Sequence, residues 1–408
     1  MKKNVTLYYG IIMAVYSLGF VVMSAFSSLY LLSVGLSSGE IGILLAAGGV
    51  ISAVLQPVVG ILMDRHPYVS GKTVLAVCSI LIAVFGIILM LTPGRSTGLT
   101  SVLYGVPIML LYLAQPFLNA LGMEAVNLGY GLNFGAGKAM GSMGYAAASY
   151  LFGIVSVKAG PQIVPSVFAF VYMLLTLIVV FYPVKKSTVM SSSGGRVVLG
   201  NPYTFLARYK RLAGVLTGLI CIYYSHTLIN TFALQIVIPK GGSSADMGSA
   251  AAIAAVCELI TMLLFSVYMK KVRLINLLRV SGIFFTLKTF FSLTVRSIPG
   301  FFMIQGFQMF GWGLLAIGIV YYVNEYTAED DKAQGQAYAG IAMTFGNVLA
   351  TFSGGRIIDA FGVDTMLIVG TVISALGTVI LWVFLEDRHH SEVKDYIQRE
   401  EIIYERTL

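Results

Sequence analysis

The chain of 408 residues is 57% hydrophobic and only 11% charged, with a formal net charge of +8 and a mean hydropathy of +0.86. A water-soluble surface needs roughly a quarter of its residues charged, so this composition excludes a soluble domain of such size. Cys78, Cys221 and Cys257 all fall in apolar stretches, where an odd number of thiols is expected to stay free and not to form disulfides or a metal site.

Taken in chain order, residues 4–39, 41–63, 73–94, 96–123, 139–157, 159–184, 212–239, 297–324, 333–355 and 365–385 contain no Asp, Glu, Lys or Arg. A helix of about 20 residues crosses the hydrocarbon core. Two further apolar segments, 248–269 and 275–295, carry Glu258 and Lys288 at depth. Twelve membrane helices are therefore predicted. The runs are too long and too uniformly apolar for barrel strands, which alternate. The opening Met-Lys-Lys resembles the start of a signal peptide, but the apolar run behind it is long and lacks a small-residue cleavage site, so it reads as a retained first span.

The basic residues set an orientation. Of 26 Lys and Arg, 19 fall in the alternate loops that share a side with both termini, 5 in the opposite loops and 2 within spans. This bias predicts a multi-pass protein of the cell membrane with both termini cytoplasmic. It also makes the net charge an orientation signal and not a nucleic-acid footprint. The loop NEYTAEDDKAQ, with four acids and one Lys, weighs little because acids barely enter the rule. Residues 184–211 hold six basic residues, no acid and a Ser-Ser-Ser-Gly-Gly core. That polar linker divides the chain into a six-helix half (1–183), a cytoplasmic linker (184–211), a second six-helix half (212–385) and a cytoplasmic tail (386–408). Two equal halves around a linker form the frame of a transporter with its site between them.

At the end of span 2, QPVVGILMDRHPYVSGK carries Gly60-x-x-x-Asp64-Arg65. This resembles the loop motif of the major facilitator superfamily, in which the Gly lets helices approach and the Asp sits at a helix end near basic partners. GxxxD recurs as GRIID, Gly355 to Asp359, at the other side of span 11. Farther in, FGAGKAMGSMGYAAASYLFGI (134–154) and CELIT around Glu258 are similar to helices 5 and 8 of the oligosaccharide:proton symporter (lactose permease-like) branch. The resemblance implies an all-α fold of twelve transmembrane helices in two six-helix halves. It further implies sugar contacts from Glu124, Lys138, Tyr145, Glu258 and Lys288. The branch also carries a His and a Glu in helix 10 where this chain has Gln308 and Gly311, two Asp in helix 7 where it has His226 and Ile229, and a Lys in helix 11 near Met343. Most of that branch's proton relay is therefore missing.

Helical spacing indicates which polar groups share a face. Lys138, Ser142, Tyr145 and Ser149 recur along span 5, Ser281, Lys288 and Ser292 along span 9, and Tyr112, Gln115 and Asn119 along span 4. Tyr223, His226 and Asn230 mark span 7; Gln305, Gln308 and Trp312 mark span 10; Thr344, Asn347 and Thr351 mark span 11. Glu124 falls about 140° around its helix from Asn119, off that stripe unless Pro116 bends the span. Such stripes line either a wet cavity or a packed neighbour. Lys138 also suits snorkelling to the interface. His226 suits either packing or protonation. For Glu258 the alternatives are a structural ion pair with Lys138 or Lys288 and a cavity-facing functional carboxylate.

These residues and the resemblance lead to one expectation: alternating-access transport of a small polar solute, a sugar, in symport with protons. Solute contacts are expected from Glu258, Lys138, Tyr145, Glu124, Lys288, Gln308, Trp312, Asn119 and Asn347. Glu258 and His226 are the proton-coupling candidates, and Gly60, Asp64 and Arg65 the conformational loop. An uncoupled facilitator and an efflux transporter of drug-like organic molecules are the alternatives. A membrane enzyme is disfavoured, since only one of four His lies in a span and no nucleophile–base or metal-spaced cluster is present. No cofactor is expected, and the chain is expected to act as a monomer.

Overall fold

In hydrocarbon every backbone N–H and C=O must be satisfied within the protein, and helices do this segment by segment. The computed structural model describes residues 5–66, 69–92, 96–183, 202–328 and 331–386, without the side chains of Asp64, Asn127, Ser266 and Ala333. Its spans are α1 (Val5–Ala25), α2 (Ser38–Arg65), α3 (Gly71–Leu91), α4 (Thr97–Asn127), α5 (Phe134–Ala159) and α6 (Ile163–Val180). The second half supplies α7 (Lys210–Thr231), α8 (Ser244–Lys271), α9 (Leu274–Thr294) and α10 (Ile298–Tyr326). A last continuous stretch, Lys332–Phe384, is turned at Gly362, whose φ of 84° lies in the region open to glycine. It therefore holds two spans, α11 (332–361) and α12 (363–384). The fold is all-α, with twelve transmembrane helices in two halves, as expected.

Three spans are less regular than their uninterrupted apolar sequence suggests. In α1, residues Val21–Ala25 form a π-helical stretch, followed by the short helix Ser27–Ser33. Span α7 stops at Thr231 and restarts as Ala233–Val237. Span α10 breaks between Ile298–Gln305 and Trp312–Tyr326. Of the linker, only 202–211 are described. There the helix Pro202–Arg208 precedes Tyr209, whose hydroxyl donates to Asp331 Oδ2 at 2.6 Å and accepts from the Ala328 N–H at 3.1 Å; Arg208 adds a 3.0 Å ion pair to the same carboxylate. The Tyr209 and Arg208 hydrogen bonds hold the Asp331 carboxyl below its ordinary range.

The two halves meet as a V. At the end remote from the termini, Ser156 Oγ donates to Ser244 Oγ at 2.9 Å between α5 and α8. A Cβ on Gly248 would run into Ser149 O, and one on Gly153 would come within 3.0 Å of Ser244 O. Span α2 meets α11 just as closely, since a Cβ on Gly42 would strike Thr351 O and one on Gly355 would strike Ser38 O. Toward the termini the glycines of these two helices make no such contact: a Cβ on Gly60 of α2 or on Gly340 of α11 would meet nothing within 4 Å. The core follows this geometry. One apolar cluster runs from Tyr9 and Phe168 in the first half to Phe232, Met247 and Met366 in the second, whereas another, around Phe205, Leu278 and Leu315, stays within the second half.

Candidate functional site

The break in α10 is encoded by glycine. The stretch QGFQMFGWG carries Gly306, Gly311 and Gly313, and residues Gly306–Met309 tighten to a 3-10 turn before Gly311 leaves helical geometry (φ −79°, ψ −94°). Freed backbone groups at membrane depth need partners. Ser281 of α9 supplies one, donating its hydroxyl to Gly311 O at 2.8 Å. Gly313 lets α10 approach α8, because a Cβ there would come within 2.9 Å of Thr261 and 3.3 Å of Glu258 O.

That approach assembles a polar chain across three helices. Lys288 on α9, 2% exposed, donates from Nζ to Gln308 Oε1 at 2.6 Å. Gln308, inside the break and 4% exposed, donates from Nε2 to Glu258 Oε2 at 3.3 Å. Glu258 on α8 is half-buried. The carboxylate is thus compensated through an amide by a Lys of its own half. Lys138, in the other half, is exposed and lies 5.6 Å from the Phe134 ring. Buried ions require such compensation, since desolvating each costs several kcal/mol.

Beside the chain stands an aromatic wall. His226 stacks on Trp312 (5.3 Å between centroids, 13° between planes) and meets Phe285 edge-on at 5.4 Å. Tyr223 lies 5.5 Å from Trp312. Asn230, one turn beyond His226, places its amide nitrogen 2.9 Å from Nε2, a hydrogen bond made in the tautomer that leaves that nitrogen unprotonated. Next to the seam between halves is a space of about 30 Å³ lined by Phe26 just after α1, Tyr145 of α5, Asn230 in the last turn of α7, Met247 of α8 and Gln305 of α10. That leaves room for a water or two, and the close backbone contacts at Gly42, Gly153, Gly248 and Gly355 close the V on the side away from the termini.

The arrangement brings together Glu258, Gln308, Lys288, Trp312 and His226, while Tyr145 of the other half lines the small space at the seam with Asn230 and Gln305. Glu124 is half-buried within electrostatic reach of Tyr182, on its own half. Asn119 and Asn347 are half-buried on α4 and α11. Arg65 is exposed at the end of α2, and the Asp64 side chain lies outside the described residues. Asn230 and Gln305 line the central space although only their helical stripes pointed to them. Their signal was the spacing from Tyr223 and to Gln308.

The sequence profile of the MFS_1 like family matches residues 9–369. Among curated proteins, an uncharacterized transporter, YwbF of Bacillus subtilis (strain 168), is 22% identical over 347 residues, 84% of each chain. Among solved structures, a mutant form of the nucleoside transporter NupG superposes with a TM-score of 0.80 at 14% identity, over 94% of this chain and all of that one. A D-xylose-proton symporter gives 0.69 at 13% identity over 94% and 98%. A bacterial homolog of the human lysosomal transporter Spinster, inward-facing and occupied, gives 0.68 at 13% over 93% and 96%.

Proposed function

Because the chain belongs to the MFS_1 like family, and is thus a multi-pass membrane transporter of the major facilitator type, we propose that it carries a sugar or sugar-bearing solute across the cell membrane by alternating access, coupled to proton symport. The observation that carries this reading is the Lys288–Gln308–Glu258 chain opening beside the Tyr223–His226–Trp312 wall. A carboxylate accepts hydrogen bonds from vicinal hydroxyls, and a flat ring covers the C–H face of a sugar. Amides from Asn230, bonded to His226, and from Gln305 line the small space at the seam nearby. Glu258 is the titratable group on which a proton can ride, since a half-buried carboxylate tolerates protonation readily. His226, already stacked and hydrogen-bonded, is the secondary candidate. With the excess of basic residues on the termini side, the open mouth of the V faces the cytoplasm. The solved relatives named for a nucleoside and for D-xylose with protons accord with a solute bearing a sugar ring.

Purified protein in lipid nanodiscs tests the solute class by thermal shift against pentoses, hexoses, disaccharides, nucleosides, carboxylates and organic cations. A solute at 100 times its Kd adds about 2.7 kcal/mol, so a sugar or nucleoside should raise the melting temperature alone. Stabilisation only by organic cations would favour the efflux reading. A bound solute that is never accumulated against a gradient, at any imposed pH difference, would favour the uncoupled facilitator.

A further inference from the structure

The second GxxxD motif, Gly355 to Asp359, has no part in the solute site. It lies where α11 meets the first turn of α2 across the sealed seam. Asp359 Oδ1 accepts the Ser38 N–H at 3.1 Å and Oδ2 the Gly39 N–H at 2.7 Å. The remaining donors of that turn are met within α2's own half: Ser37 Oγ accepts the Glu40 N–H at 3.2 Å and Glu40 Oε2 the Ser37 N–H at 2.8 Å. A helix start leaves four N–H groups without helical partners, and its dipole favours an anion there. Two of the four in α2 are therefore completed by a carboxylate of the opposite half. Gly355 permits this approach, since any side chain there would strike Ser38 O.

We propose that Asp359 is the latch of the gate remote from the termini, clasping the start of α2 while that gate is shut and releasing it when the halves part there. This rests on the alternating-access reading above. Opening exchanges two charge-assisted, part-buried hydrogen bonds for water. The latch therefore biases the resting protein toward the state with the termini side open. A Cβ on Gly60, in the first GxxxD motif at the opposite end of α2, would meet nothing within 4 Å in this same state.

The test measures spin-label distances in nanodiscs, in a background without Cys78, Cys221 and Cys257 and with no solute added. Labels at Lys158→Cys and Arg296→Cys report the latched side, and labels at Arg65→Cys and Lys271→Cys the termini side. Asp359→Ala removes the acceptor. Ser38→Pro removes one donor at the first helical position, where proline is tolerated, and Ser37 before it is already extended (φ −75°, ψ 164°). Each variant should raise the long-distance population on the latched side at least tenfold, and the double variant should add little beyond Asp359→Ala. An Asp359→Ala protein that melts like its parent and keeps the parent distribution overturns the latch. If that variant does not fold, an unchanged Ser38→Pro distribution does so instead. The termini-side pair separates the two readings: closed populations there without any latched-side response sink the latch and spare alternating access. A latched side that opens while the termini side never closes keeps the latch and sinks the alternation.

Discussion

Lys288 and Glu258, on α9 and α8, are joined through a single amide: Gln308 takes a hydrogen bond from one and gives a hydrogen bond to the other. The amide can satisfy both only in this orientation, with its oxygen toward the ammonium. Two opposite charges in the membrane are thereby held near each other without direct contact, and the carboxylate keeps lone pairs for other donors.

Removing Lys288 alone leaves the carboxylate without its counter-charge. Lys288→Met should destabilise the protein by about 3–5 kcal/mol, the cost of breaking a buried pair. Adding Glu258→Gln should recover a large part of that loss. A double-mutant cycle read by chemical unfolding in detergent checks it, and strict additivity would mean that the two groups are independent.

Glu258→Gln keeps the shape and one acceptor but fixes the neutral state. Net accumulation of the solute driven by a pH gradient should fall to background, while exchange of labelled for unlabelled solute survives wherever binding does. Uptake and exchange in proteoliposomes, with affinity measured alongside, distinguish these effects. Persistent proton-driven accumulation by the variant would remove Glu258 from coupling.

The aromatic surfaces should act on affinity. Trp312→Ala and Tyr145→Ala are each expected to weaken solute binding about tenfold, the scale of one lost ring contact of roughly 1–1.5 kcal/mol. Trp312→Phe should retain most of the affinity. Calorimetry on the purified variants reads this out, and unchanged affinity in both alanine variants would return these rings to packing.

Orientation can be checked chemically. In a background free of native cysteines, Tyr203→Cys in the linker helix, whose parent residue is 83% exposed, should react with an impermeant thiol reagent only after cells are opened. Thr97→Cys at the start of α4, exposed at the opposite side, should react in intact cells. The reverse pattern would invert the topology.

The linker helix should respond to acid. Asp331 sits below the ordinary carboxylate range because Tyr209 and Arg208 bond its charged form. Its contribution is present above the unfolded value near 4 and is lost as pH falls through the folded value. Amide exchange in Pro202–Arg208, corrected for the intrinsic rate, should therefore rise below about pH 4, and Asp331→Asn should produce the same rise at neutral pH. Equal protection in the variant would show that the Asp331 contacts do not hold the helix.

The absence of charge marked the spans because hydrocarbon penalises charge wherever it falls, and this demand is local to each segment. Apolar content alone, however, does not say whether a helix is continuous. The breaks in α1, α7 and α10 stand in runs as greasy as any other, and only the glycines of QGFQMFGWG hinted at the last. Glu258 and Lys288 stood out as ions at depth, yet their junction did not, because Gln308 is an ordinary amide until Gly313 and Thr261 bring its helix against α8. Asn230 and Gln305 were visible as members of helical stripes, but which stripe faces the central space depends on how twelve helices are rotated, a property of their mutual packing. Asp359 was legible as part of a motif; its partners were backbone N–H groups, which no side-chain pattern reveals.

The Lys288–Gln308–Glu258 chain lies wholly on α8, α9 and α10, while the surfaces that must separate are seams of Gly, Ser and Ala between the halves. A rocking motion can therefore treat the charged cluster as ballast fixed to one rigid body. The three side chains are brought together when that half folds, and a rocking of the halves need not pull them apart. What parts between facing states is then close backbone packing at glycines, together with the Asp359 clasp, and not a membrane-buried ion pair.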